Sequence, residues 1–160
     1  MCLDSLHSLH HVLFNDISII ISKPIQIINS GPLEDTLISC NSVRKSHFRG
    51  IVIDGTSHLT IFNNVVHECY GNAYSLQGQY IEVLDNIASD VKRVLPSISG
   101  QTDHEVRAFH CPYQYNTFIG NKAIGSEFYG FLVTNDDYIP PALLVSVSLF
   151  PYRKTIFPSL

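Results

Sequence analysis

The chain has 160 residues, enough for one domain with a substantial hydrophobic core but short for two. Hydrophobic residues make up 45% of it and charged residues 15%, a balance that excludes a disordered chain and a coiled coil. The net charge is −4 and no basic run occurs, so we expect no nucleic-acid partner.

Branched side chains dominate the composition. The sequence contains 18 Ile and 12 Val but only 5 Ala, which favours pleated strands over helices. The 9 Gly, 8 Pro and 10 Asn supply residues for many turns. We therefore predict a β protein with almost no helix.

The N-terminal residues do not resemble a signal peptide, because Asp4, His7, His10 and His11 interrupt the apolar run. The longest apolar stretch, residues 140–150, is too short to cross a bilayer, so we expect no membrane span. The 4 Cys form no CxxC pair, and no phosphate-binding glycine loop occurs. The sequence therefore predicts neither a metal site nor a cofactor.

One pattern recurs along the chain: an apolar residue, two residues of any kind, Asn, one residue of any kind, and a small or branched apolar residue. The Asn positions are Asn15, Asn41, Asn64, Asn86 and Asn121, separated by 26, 23, 22 and 35 residues. The longest interval contains residues 95–104, a polar stretch typical of a loop insertion. A period near 22 residues indicates a repeat architecture.

Each period also carries two short runs with strand-like alternation, such as residues 50–55 and 59–62, or 73–76 and 80–84. We predict an all-β, right-handed parallel β-helix of the pectin-lyase-like kind, with about five coils over residues 12–135. Residues 1–11 and 136–160 lack the repeat. A leucine-rich repeat needs a regular leucine frame that is missing, and a β-sandwich has shorter strand spacing without a fixed Asn.

The recurring Asn has a physical role in such a fold. A tight turn between strands often needs a left-handed residue, which Asn tolerates. Stacked coils then place the same Asn at the same corner, about 4.8 Å apart, where the side-chain amides can bond along a ladder. We expect Val43, Val66 and Ala88 to stack inside the same corner.

Two segments resemble a known family. Residues 50–71 contain Gly-Ile-x-Ile-x-Gly-Thr followed by Asn-Asn-Val, and residues 116–131 contain Asn-x-Ala-x-Gly-Ser followed by Gly-Phe. Both are similar to the β-helix region shared by fibrocystin, fibrocystin-like proteins, the cell migration-inducing hyaluronan-binding protein and transmembrane hyaluronidases. The resemblance covers roughly residues 10–134.

The resemblance implies a fragment of a large secreted or cell-surface protein that serves as a structural or glycan-binding module. An anionic glycan is the partner that it suggests. The only local basic clusters that could face such a polymer are Arg44, Lys45, Arg49, Lys92 and Arg93. Open coil ends would favour self-association.

The chain departs from the family where chemistry would be expected. Asn72 stands where the family has His after Gly, and Gln77 and Gly78 replace its paired carboxylates. Acid–base cleavage needs groups that give and take protons, so we assign no catalytic residue and expect this chain not to be an enzyme. A hyaluronidase-type glycoside hydrolase is the alternative.

The best candidate binding residues come from one coil. Asp54, His58, His67, Glu68 and Tyr70 are polar or aromatic, and we predict that they line one exposed face that contacts the ligand. An ordinary polar loop would account for the same residues.

Overall fold

The computed structural model describes residues 25–94 and 105–133. Every regular element in these ranges is a β-strand. The strands are β1 (Ile25–Ser39), β2 (Ser42–Ser46), β3 (Ile51–Phe62), β4 (Val65–Tyr70), β5 (Tyr74–Gln77), β6 (Glu82–Leu84), β7 (Ile87–Lys92), β8 (Arg107–Cys111), β9 (Thr117–Ile119), β10 (Lys122–Ser126) and β11 (Tyr129–Val133). The described ranges contain no helix that could cross a membrane.

The strands form a parallel β-solenoid, as the repeat predicts. A seven-stranded sheet has the order β11-β8-β5-β3-β6-β9, with β1 also paired to β3, and a four-stranded sheet has the order β10-β7-β4-β2. All pairings are parallel, each strand with its equivalents in neighbouring coils. Because successive coils stack in register, the sequence period becomes a spatial period.

About four coils lie within the described ranges, against about five in the prediction. The predicted coil around Asn15 lies outside the described residues, as do the segments 1–11 and 136–160 and the insertion 95–104. One local prediction differs: residues 50–55 and 59–62 were expected to be separate strands, but they form one long strand, β3. This strand bends near Gly55 and His58, which both have positive φ, and so it pairs with β5 before the bend and with β6 after it.

The core is a column of inward side chains stacked coil upon coil. Val43, Val66 and Ala88 are buried and in register. Aromatic rings form another part of the core, where Phe109 lies between Tyr74 and Phe131 with centroid separations of 4.6 and 4.7 Å. Offset ring stacking adds about 0.5–1.5 kcal/mol per pair beyond burial. The hydroxyl of Tyr74 donates to the carbonyl of Asn64 at 2.9 Å, so this buried polar group has a hydrogen-bond partner within the core.

The structure places Asn41, Asn64, Asn86 and Asn121 in one buried row, called here the asparagine row. Oδ1 of Asn86 accepts from both the backbone N–H and Nδ2 of Asn64, at 2.9 and 3.0 Å. The same pair of bonds joins Asn41 to Asn64 and Asn86 to Asn121. The side chains of Asn64, Asn86 and Asn121 therefore satisfy backbone groups that the turn removes from the strand ladders.

Candidate ligand-binding groove

The five predicted binding residues do not share a face. Asp54 and His58 belong to β3 in the seven-stranded sheet, whereas His67, Glu68 and Tyr70 belong to β4 in the four-stranded sheet. The polypeptide turns at Asn63 and Asn64 between the two strands, so a single coil presents these residues on two different walls of the solenoid.

The group on β4 is occupied by neighbours in the solenoid. Nδ1 of His67 lies 2.9 Å from Oγ of Ser89, and Oε1 of Glu68 lies 3.7 Å from Nζ of Lys92. Nζ of Lys92 also lies 3.1 Å from Asp90, and this hydrogen bond is the main reason that the pKa of Lys92 is raised. The contacts of His67 and Glu68 join adjacent coils on a partly exposed surface, where a single ion pair contributes little to stability.

The group on β3 lies beside a groove. An open depression of about 240 Å³, called here the groove, crosses three coils, and its lining residues are Asp54, Gly55, Thr56, Ser57, Gln77, Gly78, Gln79 and Tyr113. Asp54 and Gln77 are register partners in adjacent strands. Within residues 25–94 and 105–133, their side chains make no hydrogen bond or ion pair, so both polar ends are available to a ligand.

A row of exposed rings borders the groove. His58, Tyr80 and Tyr115, called here the aromatic row, follow the groove-lining segments in three successive coils. The ring centroids of His58 and Tyr80 are 4.7 Å apart and those of Tyr80 and Tyr115 are 5.2 Å apart, both stacked. Tyr80 is 48% exposed and Tyr115 is 55% exposed. Clustered exposed aromatic surface of this kind marks a binding site more often than scattered apolar side chains do.

The two tyrosines of the row occupy a costly backbone conformation. Tyr80 has φ 56° and Tyr115 has φ 61°, in the left-handed region. A bulky side chain there is a genuine outlier, at a cost of about 1–2 kcal/mol, whereas Gly or Asn would fit with less strain. Left-handed residues recur at the corners of this solenoid, so the conformation belongs to the turn, but the turn itself does not require a tyrosine.

Tyr113 adds a ring inside the groove. It is 46% exposed and lies just after β8. No ring contact to Tyr113 occurs in the described part of the chain, so its aromatic face is open to a ligand. An aromatic face beside free amide and carboxylate groups suits a ligand that is apolar on one side and hydroxylated on its rim.

The positions that depart from the family have structural roles. Oδ1 of buried Asn72 accepts from the backbone N–H of Arg107 at 2.9 Å, which holds the turn between two coils. A Cβ on Gly78 would collide with the backbone carbonyl oxygen of Thr56. In this solenoid, position 78 therefore has no room for a carboxylate.

Sequence reasoning missed Tyr80, Tyr113 and Tyr115, although the repeat contained a signal. Asp35, His58, Tyr80 and Tyr115 each stand six residues before a member of the asparagine row, and all four have positive φ. Counting from the Asn would have aligned these residues at one corner. Nothing in the spacing points to Tyr113, because it enters the groove through the turn that follows β8.

Charge differs between the two sheets. The described strands of the seven-stranded sheet carry four carboxylates and one cation, namely Glu34, Asp35, Asp54, Glu82 and Arg107. Those of the four-stranded sheet carry four cations and two carboxylates, namely Arg44, Lys45, Lys92, Lys122, Glu68 and Asp90. Among the residues that the structure describes, no group of three His, Cys, Asp or Glu side chains converges to hold a metal ion.

Comparison with known proteins yields a distant relative. No family model matches the sequence, and no solved structure matches it. Communication mutant protein F of Dictyostelium discoideum is 25% identical over 131 residues, which cover 70% of this chain. The chain spans 12% of that protein's length. The fold is therefore assigned from the structure of this chain alone. The activity of any longer protein that contains the chain is a proposal.

Proposed function

We propose that the chain is a β-solenoid module of a large secreted or cell-surface protein and that it binds a glycan in the groove. The observation that carries the proposal is the aromatic row beside the groove. Two of its members, Tyr80 and Tyr115, are exposed and have a left-handed backbone conformation. Solenoids present long, regular surfaces suited to extended polymers. The resemblance to the fibrocystin and hyaluronan-binding group points to the same class of ligand.

Binding is favoured over cleavage because of what lines the groove. Glycoside hydrolysis ordinarily uses two carboxyl groups on either side of the scissile bond. Among the described lining residues the groove has one carboxylate, Asp54, and Gln77 is its partner across the strands. A hyaluronan-degrading enzyme is the alternative function, and chain shortening of hyaluronan by the purified protein, lost in an Asp54→Asn variant, would establish it.

The binding test compares purified wild-type chain with two groove variants by isothermal titration calorimetry. The probes are cellohexaose, mannohexaose and a hyaluronan hexasaccharide. We expect at least one probe to bind the wild type and to bind several-fold more weakly to Tyr80→Asn and Tyr113→Ala. Asn suits the left-handed backbone, so Tyr80→Asn should keep the fold while it removes the ring.

The matched control is Asp85→Asn, at a left-handed residue of the next corner (φ 52°) that does not line the groove. Its affinity should equal that of the wild type, and thermal melts should show all three variants folded. Absence of binding by every probe, or equal affinity in all variants, would refute the groove as a glycan site.

A second site has support from charge. The four-stranded sheet carries the excess of cations, so the anionic glycan suggested by the family resemblance would be attracted there and not to the groove. A Lys45→Gln, Lys122→Gln double variant should then lose hyaluronan binding at low ionic strength. Unchanged binding in that variant would remove this candidate.

The cell-surface location is tested on the natural product of the gene. Antibodies raised against this chain should label intact, non-permeabilised cells or the culture medium. Labelling that appears only after permeabilisation would contradict the proposal.

Self-association through the coil ends is part of the same proposal. Among the residues that the structure describes, β2 and β10 are the end strands of the four-stranded sheet, and a parallel edge can pair with another copy. Light scattering over a range of protein concentrations should show a mass that rises above 17.9 kDa. A constant monomer mass at high concentration would contradict it.

A further inference from the structure

We infer that the ligand of the groove is a neutral, extended polysaccharide and not an acidic one. The inference rests on the proposed function, since it names the class of glycan that the groove would take. It is independent of whether the four-stranded sheet also attracts an anionic polymer.

Charge around the groove is the first argument. Asp54 lies in the lining, and the other described charges on the seven-stranded sheet are three carboxylates and Arg107. Arg107 is bound to Glu105 at 3.3 Å and so is already paired. A uronic acid or sulfate group in the groove would therefore face a carboxylate with no compensating cation from the described strands of this sheet, which disfavours binding.

Hydrogen-bonding chemistry is the second argument. Asp54 offers two acceptor oxygens, and the amides of Gln77 and Gln79 each offer a donor and an acceptor. Thr56 is already engaged, because its hydroxyl accepts from Ser30 N–H and donates to the carbonyl of Asp54. The three free groups match the donor and acceptor pairs of adjacent sugar hydroxyls. A hydrogen bond from a neutral hydroxyl to a carboxylate is stronger than a hydrogen bond between two neutral groups.

The shape of the groove is the third argument. Asp54, Gln77 and Tyr113 come from three successive coils, which are spaced about 4.8 Å apart along the solenoid axis. A sugar unit in an extended chain advances by a similar length, so successive units can contact successive coils. The depression is open to solvent and not enclosed, which admits a segment of a longer polymer.

The experiment uses the full chain and titrates cellohexaose, mannohexaose and a hyaluronan hexasaccharide at low and at high ionic strength. We expect a neutral hexasaccharide to bind with an affinity that salt leaves unchanged, because no charge on the ligand is screened. Asp54→Asn should weaken that binding roughly tenfold, since it removes a charged acceptor. The control Glu82→Gln makes the same change in net charge on the same sheet, outside the groove, and should leave the affinity unchanged.

The outcomes separate this inference from the proposed function. Binding of hyaluronan but not of the neutral hexasaccharides, weakened by Tyr113→Ala, would overturn the neutral ligand and leave a glycan site in the groove. Equal loss of neutral-glycan affinity in Asp54→Asn and Glu82→Gln would also overturn it, because net charge would then be the cause. Failure of all three probes to bind would refute the proposed function itself.

Discussion

Two corners of each coil contain a residue with a left-handed backbone, but the side chains at the two corners have different roles. At one corner, the residues just before the asparagine row have positive φ, and the Asn that follows is buried and bonded to a neighbouring coil. At the other corner, His58, Tyr80 and Tyr115 have positive φ, and their side chains extend into solvent. The first corner therefore stabilises the stack, whereas the second presents side chains that the stack does not need. A solenoid can vary the second corner with little effect on its fold.

The largest expected effect is a difference in thiol reactivity between the surface of the first corner and the hydrophobic core. Cys40 is exposed at this corner, whereas Cys69 and Cys111 are buried. Burial raises the pKa of the Cys69 thiol to about 12 and that of Cys111 to about 11. Labelling of a buried thiol needs a large opening of the fold, so Cys40 should react roughly 1,000-fold faster or more. Peptide-resolved mass spectrometry after timed alkylation measures the rates, and comparable rates would show that the coils open readily.

The same thiols predict alkaline sensitivity. The unfolded chain ionises them near pH 9, but the folded chain holds the proton of Cys69 to about pH 12. Below pH 9 both states are protonated, and the stability contribution is constant. Between pH 9 and about 12 the unfolded state releases the proton first, so stability should fall as pH rises. Urea unfolding of wild type and Cys69→Ala across this range tests the sign, and identical slopes would contradict it.

Asn64→Leu should cost about 3 kcal/mol of unfolding free energy, because it leaves buried backbone and side-chain groups unpaired. Nδ2 of Asn64 donates to the carbonyl of Ile38 at 2.8 Å, and its Oδ1 accepts two bonds from Asn41. The control is Asn63→Gly at the neighbouring exposed position (φ 53°), where Gly fits the backbone. In chemical denaturation, the free energy of unfolding of Asn63→Gly should be close to that of the wild type. Equal losses in both variants would show that the asparagine row does not stabilise the stack.

Gly78→Ala should cost about 2 kcal/mol, the scale of overpacking against a fixed backbone. The new Cβ would meet the carbonyl oxygen of Thr56, which cannot move without disturbing β3. Gly130→Ala is the control, since its Cβ would lie 3.3 Å from the Ala123 methyl group, which can shift slightly. The denaturation midpoint of Gly78→Ala should lie clearly below that of Gly130→Ala. A wild-type midpoint for Gly78→Ala would show that the backbone below the groove can adapt to the added methyl group.

The smallest effect is expected in the aromatic row. Tyr80→Asn loses ring stacking, at about 0.5–1.5 kcal/mol, but it relieves a left-handed tyrosine of a similar cost. Stability should therefore change by less than about 0.5 kcal/mol. Tyr80→Phe keeps the stack and the strain and should also match the wild type. A large loss in Tyr80→Asn would mean that the second corner is structural after all.

Much of the fold could be predicted from the repeat because stacking converts sequence period into geometry. The apolar residues around Asn41, Asn64 and Asn86 recur at nearly constant spacing, and they meet in register in the structure. The departures at Asn72, Gln77 and Gly78 were also visible, and they argued against acid–base chemistry. The period did not reveal that β3 would run on through its bend, since continuity of pairing depends on the neighbouring coils.

The sequence by itself determined the β-solenoid, its period and the corner Asn, because each of these depends on local pattern repeated along the chain. Only the tertiary structure decided which side chains share a surface. It separated Asp54 and His58 from His67, Glu68 and Tyr70 by a turn, and it brought Tyr113 to a groove two coils from Asp54. The groove is formed by side chains from three coils. The sequence of one coil does not show which residues of the neighbouring coils will lie beside it.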